Sequence, residues 1–224
     1  MLIPTYNEAL TIGETLRRCV DVPGAETIVV DGGSEDETEK LAADLGAQVY
    51  SSPRGRALQM NQAASKAIGE ILLFLHADTH LPRKFEEEVE SALSCPEVAG
   101  GAFRLRIRGD SRSLRLIELG VQIRSRHLGF PYGDQAIFLR ARTFQELEGF
   151  KEMPIMEDLD LILRLRRMGK IVILRAAVET SPRRWSQLGV LKTTLINQVA
   201  LAAYLSGISP DRIARFYRRE HLLP

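Results

Sequence analysis

Ile71-Leu72-Leu73-Phe74-Leu75-His76-Ala77-Asp78-Thr79 is an apolar run that stops abruptly at a short polar tip carrying one carboxylate. Such a run suits a strand buried on both faces of a parallel sheet, with its carboxyl end delivering Asp78 into a crevice. In open α/β sheets ligands bind in the crevice outside the carboxyl ends of the strands. Thr27-Ile28-Val29-Val30-Asp31, followed by Gly32-Gly33, ends the same way. One sheet edge then presents two acidic residues, suited to a nucleotide base or ribose at one position and a metal-bound diphosphate at the other.

The flanking segments alternate between strand and helix signals. A very short strand is expected at residues 1–3, then a helix over 7–20 capped by Asn7 and stopped by Pro23-Gly24. After the strand at 27–31, Ser34 opens a helix with acids in its first turn, where the helix dipole favours them, and Gly46 closes it. A strand at 48–51, a helix at 57–67 and the strand at 71–75 follow. This βαβαβαβ order predicts a parallel, doubly wound α/β sheet.

The second half is less regular. Residues 99–107 alternate apolar and basic residues, as a half-exposed strand does, and 111–127 read as a helix. A short strand at 136–139, a short helix at 141–147, a strongly patterned helix at 157–168 and a strand at 171–174 come next. Two C-terminal helices are expected, over 185–206 and 210–220.

Composition narrows the function. The chain has 224 residues, 45% of them hydrophobic, enough for a substantial core. A net charge of +1 argues against a general nucleic-acid binder. The two cysteines, Cys19 and Cys95, are far apart and suggest a reducing compartment without a disulfide framework. No apolar run is long enough for a membrane span. The expectation is a soluble, cytoplasmic protein, with peripheral contact at the inner membrane face left open.

Four polar signatures follow strands: Ile3-Pro4-Thr5-Tyr6-Asn7-Glu8, Val30-Asp31-Gly32-Gly33-Ser34-Glu35-Asp36, His76-Ala77-Asp78 and Met156-Glu157-Asp158-Leu159-Asp160-Leu161. Each alone is explained by helix capping or an acidic helix start. In this order and spacing the chain resembles family-2 glycosyltransferases of the GT-A fold, from residue 1 to about 185. It is similar to one bacterial subgroup through Gly55-Arg56-Ala57-Leu58-Gln59-Met60-Asn61, the His76-Ala77-Asp78 variant of the family's DxD motif, and Gly133-Asp134-Gln135-Ala136-Ile137-Phe138. Pro154-Ile155-Met156-Glu157-Asp158 and Ser181-Pro182-Arg183-Arg184-Trp185 add to that likeness.

The resemblance implies a transfer of sugar from a nucleoside-diphosphate sugar to an unidentified acceptor, with no nucleic-acid partner. The loop with Pro4, Tyr6 and Glu8 would lie along the nucleoside, and Asp31 would accept a hydrogen bond from the base, commonly uracil. Asp78 matches the DxD carboxylate that binds a divalent cation, Mn²⁺ or Mg²⁺. His76 stands where the family has an acid, and imidazole suits Mn²⁺ better than Mg²⁺. Asp158 matches the proposed general base of inverting members, beside Glu157. Arg183 and Trp185 match a basic-aromatic motif at the donor and acceptor mouth.

Other residues keep two readings. Arg54 and Arg56 either contact base or diphosphate or are an exposed pair. Gly133-Asp134-Gln135 either offers polar groups such as Gln135 to the acceptor or forms a tight turn. His80 is expected as a solvated loop residue rather than a metal ligand, and Asp160 as solvent-facing or paired with Arg164. The seven arginines between Arg104 and Arg126, and those of the last helix, form either a solvated face or a site for anionic acceptors or lipid. The C-terminal helices either pack on the sheet, touch a membrane surface or form a homodimer interface. Residues 1–182 are expected as the catalytic domain, with a donor half at 1–81 and an acceptor half at 98–182, and 183–224 as a helical extension. The rivals are a sugar nucleotidyltransferase, disfavoured because residues 1–10 hold no glycine or lysine, and an inactive nucleotide-sugar-binding module.

Overall fold

The computed structural model describes residues 1–20, 22–183, 185 and 189–219. Readings that fall on Arg184, on 186–188 and on Glu220 lie outside the described residues. Strands β1 (Leu2–Thr5), β2 (Ile28–Asp31), β3 (Gln48–Ser51) and β4 (Ile71–Phe74) are parallel. With β5 (Thr79–His80), β6 (Val98–Ile107), β7 (Ile137–Arg140) and β8 (Lys170–Thr180) they form an eight-stranded sheet in the order β3-β2-β1-β4-β7-β6-β8-β5. Strand β7 is antiparallel to both β4 and β6, so the sheet is mixed but mostly parallel.

Helices α1 (Ile12–Leu16), α2 (Thr38–Asp44), α3 (Arg56–Lys66), α4 (Phe85–Leu93), α5 (Arg112–His127), α6 (Ala141–Glu146) and α7 (Glu157–Leu165) connect the strands. Among the described residues, helices α8 (Val190–Leu205) and α9 (Pro210–Arg219) follow β8. Strand alternation divides the core between the two faces of the sheet. Ile3, Val29 and Leu73 join Ile12, Leu16 and Val89 on one face. Leu2, Ile28, Val30, Leu72 and Phe74 join Met60, Leu161 and Leu165 on the other. Met156 and Leu159 at the start of α7 pack with Ile196 and Leu201 of α8 and Ile213 of α9, in a third cluster away from the sheet.

The chain steps outward from β1 to β2 to β3, then returns to place β4 on the opposite side of β1. That reversal opens a crevice at the carboxyl ends of β1 and β4, where the Tyr6–Glu8 loop and the His76–Asp78 tip emerge.

Several boundaries differ from expectation for local reasons. The first helix covers Ile12–Leu16 rather than 7–20. Asn7 adopts a left-handed backbone with φ 53°, and the amides of residues 7–9 are drawn sideways. Asn7 N donates to Ser34 Oγ at 2.7 Å, Glu8 N to Thr38 Oγ1 at 2.9 Å and Ala9 N to Asp36 Oδ2 at 3.1 Å. The same stitching holds 34–37 out of α2, which starts at Thr38. Strand β8 runs to Thr180 rather than Leu174, because β6 continues beside it across two irregular registers.

The expected half-exposure of β6 applies only to its end; its first six residues are buried. Gly100 and Gly101 explain this. A Cβ on Gly101 would stand 2.5 Å from Phe138 Cζ and 2.6 Å from the Val172 carbonyl, so the two glycines let β7 and β8 close on both sides. His80 is buried in β5, not in a solvated loop. Asp160 is also buried, and it takes Arg164 at 2.6 Å, Lys151 at 3.0 Å and the Tyr204 hydroxyl at 3.0 Å.

Candidate active site

At the tip after β4, the Thr79 amide donates to the His76 carbonyl at 3.1 Å and closes a tight turn. Ala77 points into the core and its carbonyl accepts Thr15 Oγ1 at 2.8 Å. His76 and Asp78, on the other side of the turn, line a cavity of about 160 Å³. Strand β8 pairs Thr180 with Thr79, their hydroxyls 3.1 Å apart, and so carries Ser181 and Arg183 to the same rim.

Helix α7 supplies the opposite wall. Met156 precedes it with φ 71°, a left-handed conformation unusual outside glycine, which turns the chain so that Glu157 and Asp158 open the helix at the cavity. Asp158 Oδ2 accepts the Gly133 amide at 2.7 Å, and Oδ1 accepts the Leu159 amide at 2.7 Å. A Cβ on Gly133 would lie 3.0 Å from His76 Nε2 and 3.3 Å from Asp158 Oδ2. Gly133 is therefore the spacer on which the β4 tip and α7 meet.

Arg56, the first residue of α3, stands 3.2 Å from Glu157 Oε1. Glu157 acts on its guanidinium most strongly, followed among the carboxylates by Asp158, Asp134 and Asp78, and together they raise its pKa. Glu157 is 3% exposed. Burial pushes its pKa up and Asp158 adds to this, while Arg56 opposes both; the net shift is upward. Arg183 donates to Glu8 at 2.8 and 3.1 Å, and that bond, with a smaller contribution from Asp78, raises the arginine pKa. Two guanidinium groups thus line the same cavity as Asp78.

The remaining sequence candidates are placed as follows. Trp185 lines the cavity. Glu8 lies at its edge through Arg183, and Tyr6 in the same loop stacks under Arg54, whose guanidinium is 3.9 Å from the ring centroid. Pro4 pairs with Val30 inside the sheet. Asp31 is not a lining residue. Its fully enclosed carboxylate accepts Thr5 Oγ1 at 2.8 Å, the Gly33 and Ser34 amides at 2.9 and 2.6 Å, and Ser34 Oγ at 2.6 Å.

Gln135 is likewise fully buried and outside the lining. Its amide donates to the Phe103 carbonyl at 2.9 Å and accepts Arg124 at 3.2 Å, so it anchors the Gly133–Gln135 turn, while Asp134 of that turn lines the cavity. With three residues per turn, adjacent side chains diverge by about 120°, so Asp134 reaches the cavity while Gln135 turns inward. Asn197 of α8 and Tyr217 of α9 also line the cavity, joined by a 2.6 Å hydrogen bond. Nothing in their helical patterns signalled this.

Among the described residues no group of three or more His, Cys, Asp or Glu side chains is gathered to hold a metal ion. A dedicated protein cage is therefore absent from them. The donor set at Asp78 fits the other arrangement, a hard cation that brings phosphate oxygens and water and needs only one or two carboxylates from the protein.

The glycosyl transferase family 2 profile matches residues 1–146. Glycosyltransferase AglJ of Haloferax volcanii is 44% identical over 62 residues, covering 26% of this chain and 20% of AglJ. An uncharacterized glycosyltransferase of Rickettsia felis is 34% identical over 89 residues, covering 39% and 31%. The matched segment thus spans a fifth to a third of these relatives' length. Among solved structures, S. aureus TarS with UDP-GlcNAc superposes with a TM-score of 0.65 at 17% identity, over 98% of this chain and 71% of that one. Glucosyl-3-phosphoglycerate synthase of Mycobacterium tuberculosis, solved with Mn²⁺, UDP and glucosyl-3-phosphoglycerate, gives 0.58 at 21% identity, over 79% and 68%. These likenesses show the fold. With the profile covering well over half of the chain, this protein belongs to glycosyl transferase family 2 and has the GT-A-type fold of a sugar-transferring enzyme.

Proposed function

We propose that the protein transfers a sugar from a nucleoside-diphosphate donor, with inversion, to an acceptor hydroxyl held between the β4 tip and α7. The observation that carries this is the meeting of Asp78, Asp158, Arg56 and Arg183 on one cavity. Asp158 takes the proton of the acceptor hydroxyl as its oxygen bonds to the anomeric carbon. The bond from that carbon to the diphosphate breaks, and its electron pair leaves with the nucleoside diphosphate. The Gly133 amide holds the carboxylate in one orientation, leaving its other lone pairs for the proton.

Arg56 and Arg183 bind the diphosphate and offset its growing charge. A divalent cation at Asp78, with His76 beside it, supplies Lewis-acid stabilisation of the leaving diphosphate when bound. UDP is the proposed nucleotide, as in the two solved structures above, with the loop of Pro4, Tyr6 and Glu8 along the nucleoside. Asp31 shapes the nucleoside site, because its four hydrogen bonds fix the loop that Asn7 is stitched to. Trp185 stacks on a sugar face, and Gln135 acts by fixing the turn that presents Asp134. We place the chain in the subgroup with His-Ala-Asp in place of Asp-x-Asp.

The test is calorimetry with UDP, with and without Mn²⁺, on wild type and Asp78→Asn. Wild type is expected to bind UDP at least about tenfold more tightly with the ion, and the variant to lose that gain. Equal enhancement in both would remove the cation from Asp78.

A further inference from the structure

Three helices, α8 in contact with α5 and α9, carry exposed faces that the catalytic proposal leaves unused. On α5, Arg112, Leu116, Leu119, Ile123, Arg126 and His127 are exposed and recur every three to four residues, which puts them on one helical face. Helix α8 contacts both α5 and α9. Its exposed positions, Leu195, Val199, Ala202 and Leu205, again form one stripe. The large apolar side chains of these two faces range from 47% exposed at Val199 to 70% at Leu116. Stripes of exposed large apolar side chains on two touching helices mark a contact surface rather than scattered surface leucines.

The charge around the surface selects its occupant. Arg112 and Arg126 bracket the α5 stripe, and Lys192 opens that of α8. Helix α9 exposes Arg212, Arg215, Arg218 and Arg219 beside Phe216, with Asp211 as its one exposed acid. Four other arginines of the 104–126 segment have partners elsewhere: Arg106 with Glu179, Arg108 with Glu14, Arg115 with Glu118 and the Ile107 carbonyl, and Arg124 with Gln135. A second copy would bring one cationic rim against another, which opposes association. An anionic bilayer accepts both parts, apolar side chains at the acyl boundary and Arg and Lys at the headgroups. No described helix is long and apolar enough to cross a membrane, which leaves lying on the surface as the mode of contact.

We infer that α5, α8 and α9 together form a docking face for an anionic membrane surface. Docking shares elements with the cavity, because Asn197 and Tyr217 line it from the inner sides of α8 and α9. The inference does not depend on the proposed chemistry, since it rests on outward-facing residues alone.

The experiment is sedimentation of the full chain with phosphatidylcholine vesicles and with vesicles rich in phosphatidylglycerol, alongside light scattering without lipid. Binding is expected only to the anionic vesicles, weakened by high salt. Leu119→Glu combined with Ile123→Glu is expected to lower it by at least about tenfold, with the thermal melt unchanged. Arg215→Glu combined with Arg219→Glu, a purely surface charge reversal, is the second variant and is expected to lower it similarly. Absence of binding, binding indifferent to lipid charge, or binding unaffected by the charge-reversal pair would overturn the inference. So would a lipid-free dimer that the α5 pair dissolves, which would assign the face to a second copy.

Discussion

The Gly133 amide donates to Asp158 Oδ2 at 2.7 Å and ties the proposed base to the turn that carries Asp134. The space beside the contact is tight, since a Cβ on Gly133 would meet His76 Nε2 at 3.0 Å and Asp158 Oδ2 at 3.3 Å. Gly133→Ala should therefore displace His76 and Asp158 by a few tenths of an ångström without unfolding the chain. Release of UDP from a UDP-sugar is expected to slow by roughly tenfold, with the melting temperature little changed. An unimpaired rate would show that the two side chains are not held at a working distance.

Glu157 makes a prediction of opposite sign. Its raised pKa means that the native state holds this proton more tightly than the unfolded chain does. Wild type thus loses stability as the pH rises from the ordinary glutamate value through the folded one. Glu157→Gln avoids that loss. Its melting temperature should equal wild type near pH 4 and match or exceed it at neutral pH, even though Arg56 loses a partner. A neutral-pH melt several degrees lower would mean that the Arg56 pair outweighs burial.

Asp160 behaves in reverse. Burial alone would raise its pKa, but the hydrogen bonds from Lys151, Arg164 and Tyr204 outweigh it and hold the group below its usual value. Its contribution is present above the unfolded aspartate pKa and fades as the pH falls through the lower, folded value. Asp160→Asn should cost about 3 kcal/mol at neutral pH, because Arg164 and the Tyr204 hydroxyl lose a shared acceptor. Denaturant melts at neutral and strongly acidic pH check this, and the difference between the two proteins must shrink at the acid end.

Much of this architecture was legible because buried strands leave a plain trace. The apolar runs before Asp31 and Asp78 place β2 and β4 to within a residue, and the order of elements gives the parallel half of the sheet. Asp78 stood out because it follows such a run directly. Asp31 has the same signature, and hydrogen-bond donors from its own loop and from Thr5 surround it, contacts that no pattern along the chain announces. The shortened α1 was hidden for a related reason, since the amides of residues 7–9 ahead of it bond to side chains about thirty positions away. The walls supplied by Asn197 and Tyr217 depend on how α8 and α9 dock on α7, which periodicity within each helix does not encode.

The claim on which the rest depends is that Asp158 receives a proton while the donor is held by other groups. It is tested most directly by comparing wild type and Asp158→Asn in two assays, UDP affinity by calorimetry and UDP release from a panel of UDP-sugars with Mn²⁺ present. The account predicts a fall in UDP release of about 10²- to 10⁴-fold with UDP affinity almost unchanged. Turnover at the wild-type rate in the variant, or UDP binding lost together with turnover, would contradict it.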